Sequence, residues 1–242
     1  MKKGSLLNVF APYLQSHAGS EGARPRAQLA SITISRETGS GAISVAEMVA
    51  ENLNRGAKGS DWCPWTVFDR DLGEKILQDH NLPKSLKQFM KEEAKFPVTD
   101  AVEQLLGLHP LQWTLVEHTT DTILHLARLG HAILVGRGSS FITSKLKNVL
   151  HIRLVAPLED RMRHAQKYYD VSPDKVTEFV RKSDAARRRY VRRYFDSEID
   201  EPLGYHLTIN TGQMSFEEAS WLIAQAATRL EARLVSEKIS KL

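Results

Sequence analysis

The sequence predicts an α/β domain in which a parallel sheet of five strands is flanked by helices. Five short apolar runs rich in β-branched residues alternate with helical patterns along the 242 residues. Runs as apolar as these, separated by helices, are typical of central strands that are covered on both faces. In chain order they are SITIS from Ser31, WTVFD from Trp65, AILVG from Ala132, VLHIRLVA from Val149 and YHLTIN from Tyr205.

The helical patterns between these runs complete the outline. The first helix is predicted over Ser44–Leu53, where apolar residues recur at helical spacing. Residues 71–130 are too long for one crossover, so we expect an insertion over one edge of the sheet, with its last helix from about Leu111 to Leu129. Further helices are predicted to begin near Leu158 and at Ser215, where acidic residues occupy the first turn.

A long basic helix is predicted to begin at Ser172-Pro173, where serine caps the helix and proline takes its first position. With its flanks it covers residues 170–200, roughly. From Arg181 to Arg193, seven basic residues and one acidic residue give a local charge of +6, so the rest of the chain sums to −2 against a total of +4. The positive charge is therefore concentrated in this one segment. Nucleic-acid binding through the segment is an alternative.

Residues 29–242 are predicted to form a single domain. Residues 1–28, which contain HAGSEGARPR, are predicted to be a flexible extension, with an amphipathic helix at Leu6–Leu14 that docks on a partner as the alternative. The single cysteine, Cys63, excludes an internal disulfide, and the lack of a CxxC pair excludes the common thiolate zinc sites. Because the sequence shows neither a signal peptide nor an apolar run of membrane-spanning length, we expect a cytoplasmic protein without a membrane partner.

A glycine-rich turn, SRETGSGAIS from Ser35, connects the first predicted strand to the first helix. Gly39 and Gly41 allow positive φ and a close approach of the backbone to a phosphate. Backbone N–H groups at such a junction converge on an anion, although an ordinary tight turn is the alternative. The loop therefore predicts phosphate binding by Arg36, Gly39, Ser40, Gly41, Ala42 and Ser44.

The loop departs from the pattern G-x-x-x-x-G-K-[ST]. Arg36 stands at the first glycine, Ala42 at the lysine and Ile43 at the hydroxyl position, with Ser44 one residue later. Loss of the lysine removes a mobile positive charge that would follow the transferred phosphoryl group. Arg36 is the nearest residue expected to replace that charge.

Six blocks of sequence, spread over most of the chain, together resemble one protein family. They are ITISRETGSG, VFDRDLGEKI, AILVGRGSSFI, VLHIRLVAPLEDRM, DAARRRYVRRY and LTINTGQMSFEEA. In this order, from about Ser31 to Ile223, they resemble the cytidylate kinase-like proteins, a branch of the nucleoside monophosphate kinases.

The resemblance implies a P-loop kinase fold with an inserted monophosphate-binding region and an arginine-rich lid. It also implies transfer of the γ-phosphoryl group of ATP, with Mg²⁺, to CMP or a similar monophosphate. The implied partners are therefore nucleoside mono- and triphosphates, whereas the oligomeric state and the acceptor base are left open.

The resemblance also implies roles for individual residues on the acceptor side. Asp69 takes the place where an aspartate begins the monophosphate site, and Lys75 falls where those enzymes use an arginine on the acceptor phosphate. Arg137, in the segment GRG, is implied to reach the same phosphate, with a surface arginine beside a turn as the alternative. Gly138 replaces an aspartate of related enzymes.

On the donor side the implied contacts are Arg161, at the start of the helix leading to the lid, and Asn210, in the loop where adenine packs. A surface arginine paired with Glu159 or Asp160 is the alternative for Arg161. Ser44 is the implied ligand of Mg²⁺.

Two lid arginines, Arg187 and Arg189, are implied to act on the transferred group together with Arg137. A helical projection independently places Arg187 in the middle of an apolar and aromatic face, where an unpaired charge is costly. Its partner is expected to be a carboxylate of the protein or the phosphates of a nucleotide, and Asp184 is a candidate for orienting it. The projection places Arg181, Arg188 and Arg192 on the opposite, solvated face.

Two functions remain open at this stage. The intact acceptor and lid arginines favour a kinase, because a scaffold has no need of several separate cations around one cleft. Ala42 and Ile43 favour a nucleotide-binding sensor or scaffold of the same fold with little catalysis.

Overall fold

The computed structural model describes Tyr13 and residues 29–55, 63–69, 110–136 and 138–240. In these ranges five strands form one parallel sheet in the order β2-β3-β1-β4-β5. Their bounds are β1 Ser31–Arg36, β2 Thr66–Phe68, β3 Ala132–Val135, β4 Val149–Val155 and β5 Leu207–Asn210. All five predicted strands are confirmed.

The central strands owe their apolar sequences to burial on both faces. Ile32, Ile34, Ile133 and Ile152 are completely buried, and the neighbouring registers Ile32↔Ile133 and Ile34↔Ile152 bring them into one core. Strand β1 lies in the middle of the sheet, so the loop that follows it opens at the centre of the carboxyl edge. That edge is where open α/β sheets bind ligands.

Six α-helices lie in the described ranges. They are α1 Ala42–Asn54, α2 Pro110–Leu129, α3 Ser139–Ile142, α4 Leu158–Tyr169, α5 Val176–Phe195 and α6 Phe216–Ile239, with a 3₁₀ turn at Pro202–Gly204. None of these described helices meets the length and apolar character needed to cross a membrane. The long basic helix, which corresponds to the implied lid and is called the lid helix below, is predicted to begin at Ser172-Pro173. This start is wrong: residues 172–175 form a turn, and α5 begins at Val176. Ser172 contributes its carbonyl, which accepts from Val176, rather than a side-chain cap.

The last helix begins as its sequence predicts. The Ser215 hydroxyl accepts from the Glu218 N–H at 3.2 Å, and the Glu218 carboxylate accepts from the Ser215 N–H at 2.9 Å. This reciprocal capping box satisfies two N–H groups that the helix itself cannot. Helix α6 then packs along α1.

A polar network fastens α6 to the amino edge of the sheet. Glu231 Oε1 accepts from the Ala30 N–H at 3.1 Å and lies 2.8 Å from His131 Nε2. The other ring nitrogen of His131 is 2.5 Å from the Cys63 carbonyl oxygen, and the ring stacks on Trp65. One carboxylate therefore links the start of β1, the start of β3 and the segment before β2.

Tyr13, which lies within the predicted extension, is anchored in the core. Its side chain is completely buried, packs edge-on against Phe68, and donates a 2.6 Å hydrogen bond to the Gly130 carbonyl. Burial raises the pKa of the Tyr13 hydroxyl. The rest of residues 1–28 and most of the predicted insertion lie outside the described residues.

Replacing Glu231 with alanine should lower the free energy of unfolding by about 1–3 kcal/mol, because the Ala30 N–H and His131 lose their acceptor. Urea denaturation at neutral pH measures the difference. Glu237→Ala, an exposed carboxylate on the same helix, should change stability by less than about 0.5 kcal/mol. Equal effects of the two variants would contradict a structural role for this network.

Candidate functional site

The glycine loop after β1 has the backbone geometry of an anion-binding turn. Gly39 and Gly41 have φ values of 86° and 79°, in the left-handed region that favours glycine. Gly41 is the N-cap of α1, and no side chain caps that helix. The loop and the helix N-terminus thus present backbone donors at the centre of the carboxyl edge of the sheet.

The loop is covered by the protein in this conformation. A methyl group at Gly39 would overlap the carbonyl oxygen of Arg161, and one at Gly41 would overlap the ring of Phe216. Ser40 and Ala42 are buried, whereas Ser44 is half-buried in the first turn of α1. The loop is thus largely shielded from solvent in this conformation.

The carboxylate of Asp184, on the lid helix α5, is the centre of the covering contacts. Its Oδ1 accepts from both the N–H and the hydroxyl of Thr38, each at 2.7 Å. Its Oδ2 accepts from Arg161 Nη1 at 2.6 Å, and Oδ1 accepts from Arg187 at 3.1 Å. Arg187 also donates to the Thr38 hydroxyl. A protein carboxylate therefore occupies donors at the edge of the loop.

Arg161 is buried and belongs to this cluster. The alternative interpretation, a surface arginine paired with Glu159 or Asp160, is therefore wrong. Its Nε donates to the Ala156 carbonyl at 2.9 Å and lies 3.4 Å from the Glu37 carboxylate. Asp160 instead pairs with Arg163 at the surface. The expected contact of Asp184 with Arg187 is present, and the carboxylate is 7% exposed rather than on the outside of the helix.

Arg36 does not take the place expected for it. Its guanidinium lies directly over Gly136, at the end of β3, where any side chain at 136 would collide with it. The expectation that Arg36 supplies the missing charge at Ala42 is not supported by this placement. Arg161 and Arg187, both held by Asp184, instead contact the loop at Thr38.

A cavity of about 290 Å³ lies between the lid helix and the ends of β1 and β3. Arg36 and Arg187 contribute positive charge to its wall, and Ser139 and Ser140 contribute hydroxyl groups. Tyr190 is one of the aromatic side chains that line it. The cavity combines cations, hydroxyls and aromatic surface, which suits a small ligand with a phosphate and a ring.

Asp200 fastens the far end of the lid. Its carboxylate accepts from Arg153, a buried residue of β4, and from Arg188 Nε of α5 at 2.7 Å. Partial burial of Asp200 opposes its ionisation, but the hydrogen bonds and charges of Arg188 and Arg153 outweigh that effect and lower its pKa. The hydrogen bond to Asp200 correspondingly raises the pKa of Arg188.

The remaining basic residues of α5 lie on its outer surface. Arg181, Arg188 and Arg192 are exposed as predicted, and Arg192 pairs with Glu198. Arg189 is also exposed. It does not line the cavity and is not part of the Asp184 cluster. Of the two lid arginines implied to be catalytic, only Arg187 lies at the site in this conformation.

The loop after β5 contacts the glycine loop through Thr211. Its hydroxyl donates to the Ser40 carbonyl at 3.1 Å, and a methyl group at Gly212 would collide with Pro157. Asn210 is exposed, and its side chain accepts from the Gly212 N–H at 3.0 Å. Asn210 thus shapes this loop through its side chain.

On the acceptor side, Asp69 is exposed at the end of β2. Burial, followed by the charges of Glu51 and Asp69, raises the pKa of Glu47, so Asp69 lies near the exposed face of α1. Arg137 and Lys75 lie outside the described residues, and their implied roles stay predictions.

The residues around the loop fit a magnesium ion only as a companion of bound nucleotide. Among the described residues, no group of three or more His, Cys, Asp or Glu side chains is placed to hold a metal. Mg²⁺ commonly takes one or two protein oxygens and completes its shell with phosphate oxygens and water. The Ser44 hydroxyl, beside the loop, can supply one such oxygen.

Sequence reasoning missed several contributors to the site, among them Arg153, Asp200 and Phe216. Arg153 is hidden within an apolar strand, Asp200 lies in an acidic stretch after the lid, and Phe216 covers Gly41 from the start of α6. A basic residue inside an otherwise apolar central strand was the available signal for Arg153, because a buried charge requires a partner.

The sheet order, the glycine loop after the central strand and the helical lid together define the P-loop kinase fold. The sequence matches the profile of the cytidylate kinase-like family over residues 31–213. The chain therefore belongs to the cytidylate kinase-like family. No curated protein sequence matches it.

Solved structures resemble this chain at low sequence identity. An uncharacterized protein from Eubacterium ventriosum is 18% identical, with a TM-score of 0.61, and the match covers 84% of this chain and 99% of that one. A shikimate kinase from Acinetobacter baumannii is 16% identical, with coverages of 88% and 97% and a TM-score of 0.44. A gluconokinase from Sinorhizobium meliloti is 12% identical, with coverages of 89% and 99% and a TM-score of 0.43.

Replacing Asp184 with asparagine should lower the free energy of unfolding by at least about 2 kcal/mol, because two arginines lose a buried anionic partner. Asp160→Asn, which removes only a surface pair, should cost less than about 1 kcal/mol. Urea denaturation of both variants tests this difference. An Asp184→Asn protein as stable as the wild type would show that the cluster is not a structural clamp.

Proposed function

We propose that the protein is a nucleoside monophosphate kinase that transfers the γ-phosphoryl group of ATP to CMP or a similar monophosphate. The observation that carries the proposal is the meeting of Arg36 and Arg187 in one cavity beside the glycine loop. Two guanidinium groups facing a small cavity suit the phosphate of an acceptor. Membership of the family supports phosphotransfer in general, and the cavity supports a small phosphorylated acceptor.

The two substrates would approach the glycine loop from opposite sides. The acceptor would lie in the cavity between the lid and the ends of β1 and β3. ATP would lie over Gly39 to Ser44, with its base toward the loop of Asn210 and Thr211. Arg161 Nη1 donates to the Thr38 carbonyl of the glycine loop at 3.4 Å, which supports a donor-side role for Arg161.

Catalysis would depend on position and charge. An oxygen of the acceptor phosphate forms a bond to the γ-phosphorus while the bond to the β-phosphate oxygen breaks, and ADP leaves. No nucleophilic side chain is required for this step. Mg²⁺, when bound with the nucleotide, supplies further positive charge to the phosphates.

Arg161 and Arg187 would provide the charge that Ala42 lacks. Both now contact Asp184, which also accepts from the Thr38 N–H. A phosphate group could take over these same donors, because it offers the same kind of anionic oxygens in larger number. The lid carboxylate would then be exchanged for the phosphate as the nucleotide binds. Arg189 would join the site only if lid movement redirects it.

A nucleotide-binding sensor with little catalysis is the second candidate function. The neutralisation of both arginines by Asp184 and Glu37, together with the covered loop, favours it. The two functions make different predictions for turnover in the presence of both substrates.

Coupled measurement of ADP release, with ATP, Mg²⁺ and a panel of monophosphates, tests the proposal. We expect turnover with a pyrimidine monophosphate, highest with CMP, above the rate with ATP alone. Absence of turnover with every acceptor, together with measurable binding of ATP, would replace the kinase with the sensor.

Arg187→Ala should lower kcat by about 100-fold, because a charge-stabilising donor is lost from the transferring group. Arg181→Ala removes an exposed arginine of the same helix and should change kcat less than about threefold. Arg187→Lys should recover part of the activity, since it retains charge without the planar fork. Equal rates for Arg187→Ala and Arg181→Ala would remove Arg187 from the mechanism.

A further inference from the structure

A second pocket lies at the opposite edge of the sheet from the glycine loop. It has a volume of about 410 Å³ and is formed by the loop before β4, His151 of β4, His206 just before β5, and the second half of α6. None of the functions considered above uses it. Its volume lies within the range typical of sites for small ligands.

The pocket is predominantly basic. Lys145, Lys147 and Arg233 line it, and Glu237 is the acidic side chain among its described lining residues. The three cations are exposed and come from two separate elements, the loop and α6. Like charges brought together around a concave surface repel one another unless an anion binds between them.

Two histidines give the pocket a built inner wall. His151 is 6% exposed, and its Nδ1 is 2.8 Å from the hydroxyl of Thr33 on the neighbouring strand. His206 Nδ1 accepts from the backbone N–H of His151 at 2.9 Å, so its neutral ring carries the proton on Nε2. The two rings are 5.1 Å apart. The inner wall is therefore held in a defined arrangement.

These histidines are neutral at physiological pH. Burial, with a smaller contribution from His206, lowers the pKa of His151 to about 4. Burial and the charge of Arg233 lower the pKa of His206. The positive charge of the pocket thus comes from the lysines and the arginine, while the rings contribute hydrogen-bonding and apolar surface.

We propose that this pocket is a binding site for a small phosphorylated molecule, separate from the kinase site. The ammonium groups of Lys145 and Lys147 and the guanidinium of Arg233 neutralise the phosphate. The histidine wall contacts the uncharged part of the ligand. The proposal concerns binding alone and does not depend on phosphotransfer at the glycine loop.

The test uses the full chain labelled with ¹⁵N-histidine and titrated with ribose 5-phosphate, inorganic phosphate or sodium chloride at matched ionic strength. We expect saturable shifts of the His151 and His206 ring signals with ribose 5-phosphate. Tighter binding of ribose 5-phosphate than of inorganic phosphate identifies an organic phosphate as the ligand class. Tighter or equal binding of inorganic phosphate, or equal shifts with sodium chloride, overturns the proposal.

Variants locate the bound phosphate. Lys147→Ala combined with Arg233→Ala should weaken binding at least about tenfold, whereas Arg229→Ala, an exposed arginine of α6 outside the pocket lining, should leave it unchanged. Arg187→Ala should also leave these shifts unchanged, because it lies at the other site. Loss of the shifts in Arg187→Ala, or unchanged affinity in the double variant, overturns the assignment.

The pKa of His206 independently tests whether the guanidinium of Arg233 faces this histidine in the pocket. Because the charge of Arg233 disfavours the imidazolium, Arg233→Ala should raise the pKa of His206 toward its ordinary value. An NMR titration of the histidine signals measures this shift. A lower or unchanged pKa in Arg233→Ala would show that the guanidinium does not face the pocket.

Discussion

The carboxylate of Asp184 connects parts of the molecule that are distant in sequence. It accepts from Thr38 in the loop, from Arg161 at the start of α4 and from Arg187 on its own helix. A buried carboxylate is tolerable only with such partners, so the position of the lid and the closure of the loop depend on each other. The shape of the neighbouring cavity depends on the same contacts, because Arg187 belongs to both.

The lid is held at two places that differ chemically. Asp184 is buried and bonds to the backbone of the loop, whereas Asp200 is more exposed and joins Arg153 of the sheet to Arg188 of the lid. Because the Asp200 carboxylate is about half exposed, its ion pairs are more strongly screened by water and salt, so the Asp184 contacts are expected to dominate closure. The outer basic residues of α5 are exposed, and Arg188 and Arg192 form ion pairs with Asp200 and Glu198.

The strands could be predicted from the sequence because they form short runs rich in apolar and β-branched residues that alternate with helical patterns. The central place of Arg187 could also be predicted, since a helical projection shows a charge on an apolar face. The projection gives directions relative to the helix axis only, so it could not show that Thr38 and Arg161 meet Asp184. Arg153 and Asp200 are 47 positions apart, and their pairing follows from the packing of α5. The side-chain direction of Arg36 likewise depends on the open space above Gly136.

The ring of Phe216 over Gly41 has a thermodynamic consequence. An anion that takes the Thr38 N–H must displace the Asp184 carboxylate from it, next to the Gly41 that this ring covers, so only a fraction of the molecules is competent to bind at a given moment. The measured dissociation constant then exceeds the intrinsic one by the inverse of that fraction. A ligand in the neighbouring cavity that stabilises the uncovered state would raise the affinity for the first ligand, and linkage requires the reverse effect to be equal. Cooperativity between two ligands would thus follow from the covering of the glycine loop.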